Sequence, residues 1–413
     1  EGKTHPRPPA TTTERMIAGL ARDAKREAEA ANERRVLVCA GDRDRGIDAA
    51  YDAIEAVDPD STAVVSTRDG FRFEEHRPRN ADELLGRTRE IVVLDCHERF
   101  VPNALGRCVG AVDGGGLLVL LTPPLDDWPS VRDRFDDSLA VPPYGIGDVT
   151  GRFRERFVDT LRAHPGIAVV SLGAEGSEGD AIERDGLTGE AGEGEETTGG
   201  AKSGSEPTVP PNATFPGAAY EACLTADQAR TVRAFESLAT LGNAVVVEAD
   251  RGRGKSSAAG LAAGALALAG ADVLVTAPAF RNAAEVFARA RELIESDPGE
   301  TVAKDADRRI ETRRGGRVRY LQPAEAAALP GGPDVAIVDE AAALPVRLLE
   351  GFLDASLSVA FCTTVHGYEG AGRGFAIRFR ERLLDGPLAV RDVRLDEPIR
   401  YARNDPVEAW ASR

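Results

Sequence analysis

Short apolar runs alternate along most of the chain with stretches whose apolar residues recur every three or four positions. The runs RVLVCAG (35–41), TAVVST (62–67), EIVVLD (90–95), GLLVLLT (116–122) and IAVVSL (167–172) read as buried strands. Between the first two, GIDAAYDAIEAV (46–57) sets Ile47, Tyr51, Ile54 and Val57 on one face of a helix. The alternation resumes after residue 215. Strands are predicted at 244–249, 272–277, 334–340 and 358–364, and helices at 256–270 and 282–294. Apolar strands separated by helices predict an α/β class with parallel sheets, in two units over 12–172 and 216–400. No repeat of 20–50 residues is present.

Between the two units the pattern fails. Residues 173–215 are rich in Gly, Glu, Ser, Thr and Pro and carry ten acids against Arg184 and Lys202. Such a segment buries too little apolar surface to offset the entropy of ordering it, and it is expected to be a disordered linker.

Composition adds three points. No apolar run approaches the about 18 residues of a membrane span, and no secretory signal opens the chain, so a cytoplasmic location is expected. Five cysteines and five histidines are scattered without metal-ligand spacing, which suits reduced thiols and offers no zinc site. The net charge is −17, and only five of the 51 basic residues are lysines. Acids in excess, with arginine in place of lysine, suit a halophilic source. In molar salt the Debye length falls to about 3 Å. A nucleic-acid partner would then be held by shape, stacking and close ion pairs more than by counterion release.

The chemistry is concentrated in the second unit. The stretch EADRGRGKSSAAG (248–260) lies between a strand and a helix, the order a phosphate-binding loop requires. Gly252 and Gly254 permit the tight turn, the backbone at Arg253 and Ser257 lies in the cradle, Lys255 reaches the β- and γ-phosphates, and Ser256 ligates Mg2+. The strict pattern GxxxxGK[ST] would have glycine where Ala249 stands. VAIVDEAAALP (335–345) is an apolar strand ending in two acids. Asp339 is expected to hold Mg2+ through water, and Glu340 to orient the attacking water. Lys255 and Asp339 are expected to meet through adjacent parallel strands. Gln228 suits contact with an adenine edge, although Thr225-x-x-Gln228 is equally a helix capping box. TTVHGYEGAGRGF (363–375) suits an element that senses γ-phosphate. The arginine-rich stretch 308–323 reads either as a solvated hairpin or as an RNA contact.

GRGKSS, VDEAAALP, HGYEGAGRGF and DEPIRYARNDPVEAW (396–410) together resemble the tRNA(Met) cytidine acetyltransferase family and its eukaryotic RNA cytidine acetyltransferase relatives. LLGRTREIVVLDCHERFVPNALGRCVGAVDGGGLLVLLTPP, in the first unit, resembles that family's N-terminal domain. The resemblance implies a Rossmann-like N-terminal domain followed by a RecA-like P-loop ATPase domain. It implies ATP, Mg2+ and a tRNA partner, with acetyl-CoA used by a further domain for N4-acetylation of a cytidine. It also implies that Arg400 reaches the ATP phosphates, Arg373 being a weaker candidate, and that a loop with alanine at 249 is tolerated. No acetyl-CoA pyrophosphate loop follows residue 400, so 401–413 is expected to lead towards an acetyltransferase domain. The alternative reading is a free-standing single-RecA-domain helicase or nucleic-acid-dependent ATPase.

Overall fold

The computed structural model describes residues 12–84, 88–173, 180–189, 207–250, 252–299, 302–329, 332–355, 358–364 and 379–412. The chain divides into two compact units, Glu1–Glu196 with Arg400–Arg413, and Thr197–Ile399.

In the first unit the strands are β1 (Arg35–Ala40), β2 (Thr62–Val65), β3 (Glu74–His76), β4 (Arg89–Asp95), β5 (Val112–Thr122), β6 (Ile167–Ser171) and β7 (Ala181–Arg184). They form one sheet in the order β3-β2-β4-β5-β1-β6-β7, parallel except for β7. The five runs predicted as strands are β1, β2, β4, β5 and β6. Their side chains are buried on both faces because helices cover both, which is why they read as continuous apolar runs. Helices α1 (Thr12–Ala31) and α2 (Arg43–Val57) pack on one face; α3 (Pro102–Ala111) and α5 (Arg152–Ala163) pack on the other, with α4 (Arg134–Leu139) on the way to α5.

Two expected boundaries take a different form among the described residues, and residues 174–179 and 190–206 of the expected linker lie outside them. Within the expected linker, β7 pairs antiparallel with β6, and Thr188 donates its N–H (2.8 Å) and its hydroxyl (2.7 Å) to the buried Glu27 carboxylate. At its far end Phe215 is buried in the core of the second unit. A short edge strand whose single large apolar residue is Ile182 leaves no mark on the average composition of a long segment. The second concerns the last residues. Arg400–Arg413 belongs to the first unit, and its helix at Pro406–Ala411 buries Val407 and Trp410. The Trp410 ring lies 5.7 Å from Phe157, and its indole N–H donates to Thr160. The second unit is therefore inserted, in sequence, into the first.

The second unit contains β8 (Asn243–Ala249), β9 (Asp272–Thr276), β10 (Val302–Ala306), β11 (Arg309–Thr312), β12 (Arg317–Tyr320), β13 (Val335–Val338), β14 (Ser358–Thr364) and β15 (Ala389–Leu395). The sheet order is β10-β11-β12-β9-β13-β14-β8-β15, with β12 through β15 parallel and β10 and β11 added antiparallel at one edge. The helices are α6 (Gly217–Glu221), α7 (Ala226–Phe235), α8 (Lys255–Leu268), α9 (Phe280–Ser296), α10 (Pro323–Ala327), α11 (Val346–Ala355) and α12 (Arg380–Leu384). The edge strand β15, AVRDVRL, has too few buried positions to be seen in an apolar pattern.

Almost every side chain of α8 is buried. Its small residues let α9 approach closely: a Cβ on Gly260 would lie 2.5 Å from the Val286 carbonyl oxygen and 2.8 Å from Arg289 Cβ. Gly260→Val is therefore expected to destabilise the second unit by about 1–3 kcal/mol through overpacking, measurable by thermal melting. No helix among the described residues is long and apolar enough to cross a membrane.

Candidate functional site

In parallel α/β sheets, ligands collect beyond the carboxyl ends of the strands. Three strand ends meet there in the second unit. β8 ends at Ala249 in extended backbone, so the position at which the strict motif has glycine makes no demand that alanine cannot meet. The left-handed backbone falls instead at Gly252 (φ +74°) and Gly254 (φ +83°). Gly254 precedes α8 and supplies no side-chain cap, so the first N–H groups of a 14-residue helix lack a side-chain acceptor at the cap. Arg253, Lys255 and Ser257 are buried.

Asp339, fully buried, follows β13 directly, and its N–H extends the ladder to Thr276. Glu340 is held at φ +52°, uncommon for a residue with a side chain. Such strain concentrates at functional positions.

The structure brings Lys255, Ser256, Asp339 and Glu340 together. The Lys255 ammonium donates to Asp339 Oδ1 at 2.9 Å and to Glu340 Oε1 at 3.0 Å, and the Ser256 hydroxyl donates to Asp339 Oδ2 at 2.7 Å. Burial alone would lower the pKa of Lys255, but the two carboxylates outweigh it and hold the ammonium well above the usual lysine range. The strands that carry these groups are not neighbours, contrary to the expectation. β14 lies between β8 and β13, with Thr364 opposite Ala249 and Phe361 opposite Val338. Lysine reach bridges the intervening strand. β14 also adds Thr364, the last residue of a predicted strand and part of the stretch that suits a γ-phosphate sensor. Thr364, nearly buried, donates its hydroxyl to Glu340 Oε2 at 3.2 Å. The rest of that stretch, including Arg373, lies outside the described residues.

Of the two readings of Gln228, the structure shows the helix cap with Thr225. Its side chain is fully buried, Oε1 accepts from the Leu224 N–H at 2.7 Å, and Nε2 donates to the Gly254 carbonyl at 3.2 Å. Each end of the amide makes one hydrogen bond within the protein, and the Gln228 N–H donates to Thr225 Oγ1, as a helix cap requires. Arg400 belongs to the first unit, where its carbonyl accepts from the Gly114 N–H. In the arginine-rich stretch, Arg317 and Arg319 each make two hydrogen bonds to Asp272, and Arg308 lies over the rings of Phe280 and Tyr320. Those two arginines, Arg317 and Arg319, overcome burial and hold Asp272 at about 2. The tip residues Arg313 and Arg314 are exposed. This hairpin is in large part a self-neutralised edge.

The first unit offers a contrast at the matching end of its sheet. The Asp42 carboxylate caps α2, accepting from the N–H groups of Asp44 and Arg45. An acid stands where a phosphate would have to bind. No grouping of His, Cys, Asp and Glu suited to a metal occurs among the described residues. The five cysteines are buried and free, and burial pushes their thiols up, which keeps them protonated.

Comparisons with known proteins agree across both units. The family described as RNA cytidine acetyltransferase NAT10/TcmA, helicase domain, matches residues 246–413. The family described as tRNA(Met) cytidine acetyltransferase TmcA, N-terminal, matches residues 15–172. The chain is 56% identical over 401 residues to the tRNA(Met) cytidine acetyltransferase TmcA of Haloferax volcanii, covering 96% of this chain and 51% of that protein. It is 55% identical to the protein of the same name from Haloarcula marismortui, covering 95% and 50%. The chain thus spans about half the length of these relatives. Among solved structures, the large terminase of a thermophilic bacteriophage aligns with 41% of this chain and 45% of its own at 12% identity and a TM-score of 0.31, a likeness too slight to bear on function. The chain belongs to the tRNA(Met) cytidine acetyltransferase family, of which it carries the N-terminal and helicase-domain regions.

Proposed function

We propose that the second unit binds and hydrolyses ATP, and that in the whole protein this hydrolysis serves N4-acetylation of a tRNA cytidine by acetyl-CoA. The observation that carries the reading is the convergence of Lys255, Ser256, Asp339 and Glu340 beside an uncapped helix start. Hydroxyl and carboxylate oxygens 2.7 Å apart are a donor set suited to Mg2+, with Ser256 as ligand and Asp339 holding it through water. The ion would neutralise charge on the β- and γ-phosphate oxygens. Within the chain itself, the N–H groups from Arg253 to Ser257 receive phosphate oxygens. Lys255 exchanges its carboxylate partners for the β- and γ-phosphates, which releases Glu340. The Glu340 carboxylate, steadied by Thr364, then accepts a hydrogen bond from the attacking water. Arg400 as a phosphate ligand rests on the family resemblance alone.

The use of this energy follows from the chemistry of the proposed acceptor. A cytidine amine within a stem is stacked and paired, and extruding the base costs a few kcal/mol. Nucleotide-driven rearrangement of the RNA would offset that cost.

Glu340→Gln tests the assignment. It keeps the shape of the side chain and removes the base, so Mg-ATP should bind within a few-fold of wild type while turnover falls by about 10²–10⁴-fold. Phosphate release and calorimetric titration measure the two quantities. Turnover at the wild-type rate would remove Glu340 from the reaction.

A further inference from the structure

The connection between β5 and β6 carries a surface unlike the rest of the described chain. Six of the twelve large apolar side chains exposed among the described residues fall between Val131 and Phe153. They include Tyr144, 67% exposed, and Phe153, 46% exposed, and no other described aromatic residue is exposed. The ten residues from Ser138 to Gly147 hold no charge, in a chain whose net charge is −17. Where acids keep the surface hydrated, an open uncharged stretch with apolar side chains marks a place of contact.

This surface is held in place from within. Arg132 donates from Nε to the Val149 carbonyl at 2.9 Å and from Nη1 to the Pro129 carbonyl at 2.8 Å, which closes the base of the loop between α4 and α5. Inside the loop the Tyr144 N–H donates to the Val141 carbonyl, and the Asp148 carboxylate accepts from the Gly145 N–H. The Phe153 ring packs against Phe100 and Phe157, at 5.9 and 6.3 Å between centroids, so it meets a ligand without first being ordered. The charges around the rings divide unevenly. Arg154, 2% exposed, takes up Asp133 and Asp136. Arg134 and Arg152 are exposed, and their guanidinium groups pair with no described residue. Each sits beside a ring of the cluster, Arg134 next to Phe135 and Arg152 next to Phe153, and those two rings are 6.2 Å apart.

Open ring faces beside unpaired arginines match unpaired RNA on both counts, since it has bases to stack and phosphates to pair. An apolar protein partner would cover the rings and leave the arginines without counter-charge. A duplex offers phosphates but keeps its bases stacked inside. Stacking also survives concentrated salt, which screens exposed charges beyond about 3 Å. We propose that the loop between α4 and α5, with Tyr144, Phe153, Arg134 and Arg152, binds a single-stranded segment of RNA by stacking and close ion pairs. The inference rests on the proposed RNA partner, gives it a place on the first unit, and is independent of the ATP site.

Fluorescence anisotropy of the 413-residue chain in concentrated KCl tests it, with a labelled mixed-sequence RNA of about 12 nucleotides, single-stranded or annealed to its complement. The single strand should bind more tightly than the duplex. Tyr144→Ala and Tyr144→Leu should each weaken the single strand by about 5–100-fold, while Tyr144→Phe, which keeps the ring, stays near wild type. Arg134→Gln with Arg152→Gln should weaken both RNAs. Tyr144 is too exposed for its loss to shift the melting temperature, and ATP turnover without RNA should match wild type in every variant. Wild-type affinity in Tyr144→Ala, a leucine as good as the phenylalanine, or a preference for the duplex would overturn the proposal. So would a chain that hydrolyses ATP yet binds neither RNA, which leaves the ATP site standing. Self-association lost in Tyr144→Ala, with no RNA bound by wild type, would make the surface an interface between copies instead.

Discussion

Lys255→Ala is expected to lower ATP turnover by at least about 10²–10³-fold, the effect of removing one preorganised group from a developing charge. It is also expected to destabilise the second unit, and for a separate reason. Lys255 is the counter-charge to two carboxylates, one of them fully buried. Removing one partner of a buried pair costs about 3–5 kcal/mol, because the charge left behind has neither water nor an ion to face. Here the upper end is softened, since Asp339 keeps the Ser256 hydroxyl and the Glu340 N–H. The pH dependence has a definite sign. A lysine whose folded pKa is raised contributes stability that is fully present below its unfolded value, about 10.4, and lost only as pH rises beyond it. The deficit of the variant should therefore be constant through neutral pH and narrow above about pH 10. Phosphate release and calorimetric melting across pH measure the two effects. A variant as stable as wild type at pH 7 would mean that the carboxylates do not depend on Lys255.

Asp405→Ala should have the largest effect on the first unit. Arg34 is nearly fully buried and directs its backbone N–H (2.6 Å), Nε and Nη2 (2.9 Å) to the Asp405 carboxylate. Its remaining nitrogen donates to the Val109 carbonyl, and its guanidinium lies 3.6 Å from the centre of the Tyr401 ring. Asp405 also caps the final helix through the Glu408 N–H. Alanine removes the main counter-charge and the cap together. Arg34 keeps Glu408 at 3.2 Å, but that carboxylate is partly exposed and meets only Nη2, so a loss towards the lower end of about 3–5 kcal/mol follows from the weakened pairing of the cation. At about 2–4 °C per kcal/mol for a unit of this size, the melting transition should fall by about 6–20 °C. Replacing both partners by apolar residues, Arg34→Met with Asp405→Leu, should recover a large part of the loss, because no buried charge is then left unpaired. If the single variant melted within a degree or two of wild type, the final segment would be an ornament to the first unit rather than part of its core.

The sequence by itself determined the strands and helices that carry long apolar runs or clear helical spacing, and it determined the residue types of the phosphate loop and of the paired acids. These properties are local: burial on both faces writes a continuous apolar run, and a strand–glycine–helix order is contiguous in the chain. Tertiary structure decided everything that depends on which segments meet. It inserted β14 between the strands of Lys255 and Asp339 and so brought Thr364 to Glu340. It turned Gln228 inward, because the Gly254 carbonyl and the Leu224 N–H both fall within its reach. It returned residues 400–412 to the first unit, where Arg34 needs Asp405. Sequence position carries no information about such distant partners, and a buried polar group is placed by whatever satisfies its hydrogen bonds. That is why Lys255 and Asp339 could be nominated from the chain alone, while the partners of Thr364, Gln228 and Asp405 became visible only in the folded protein.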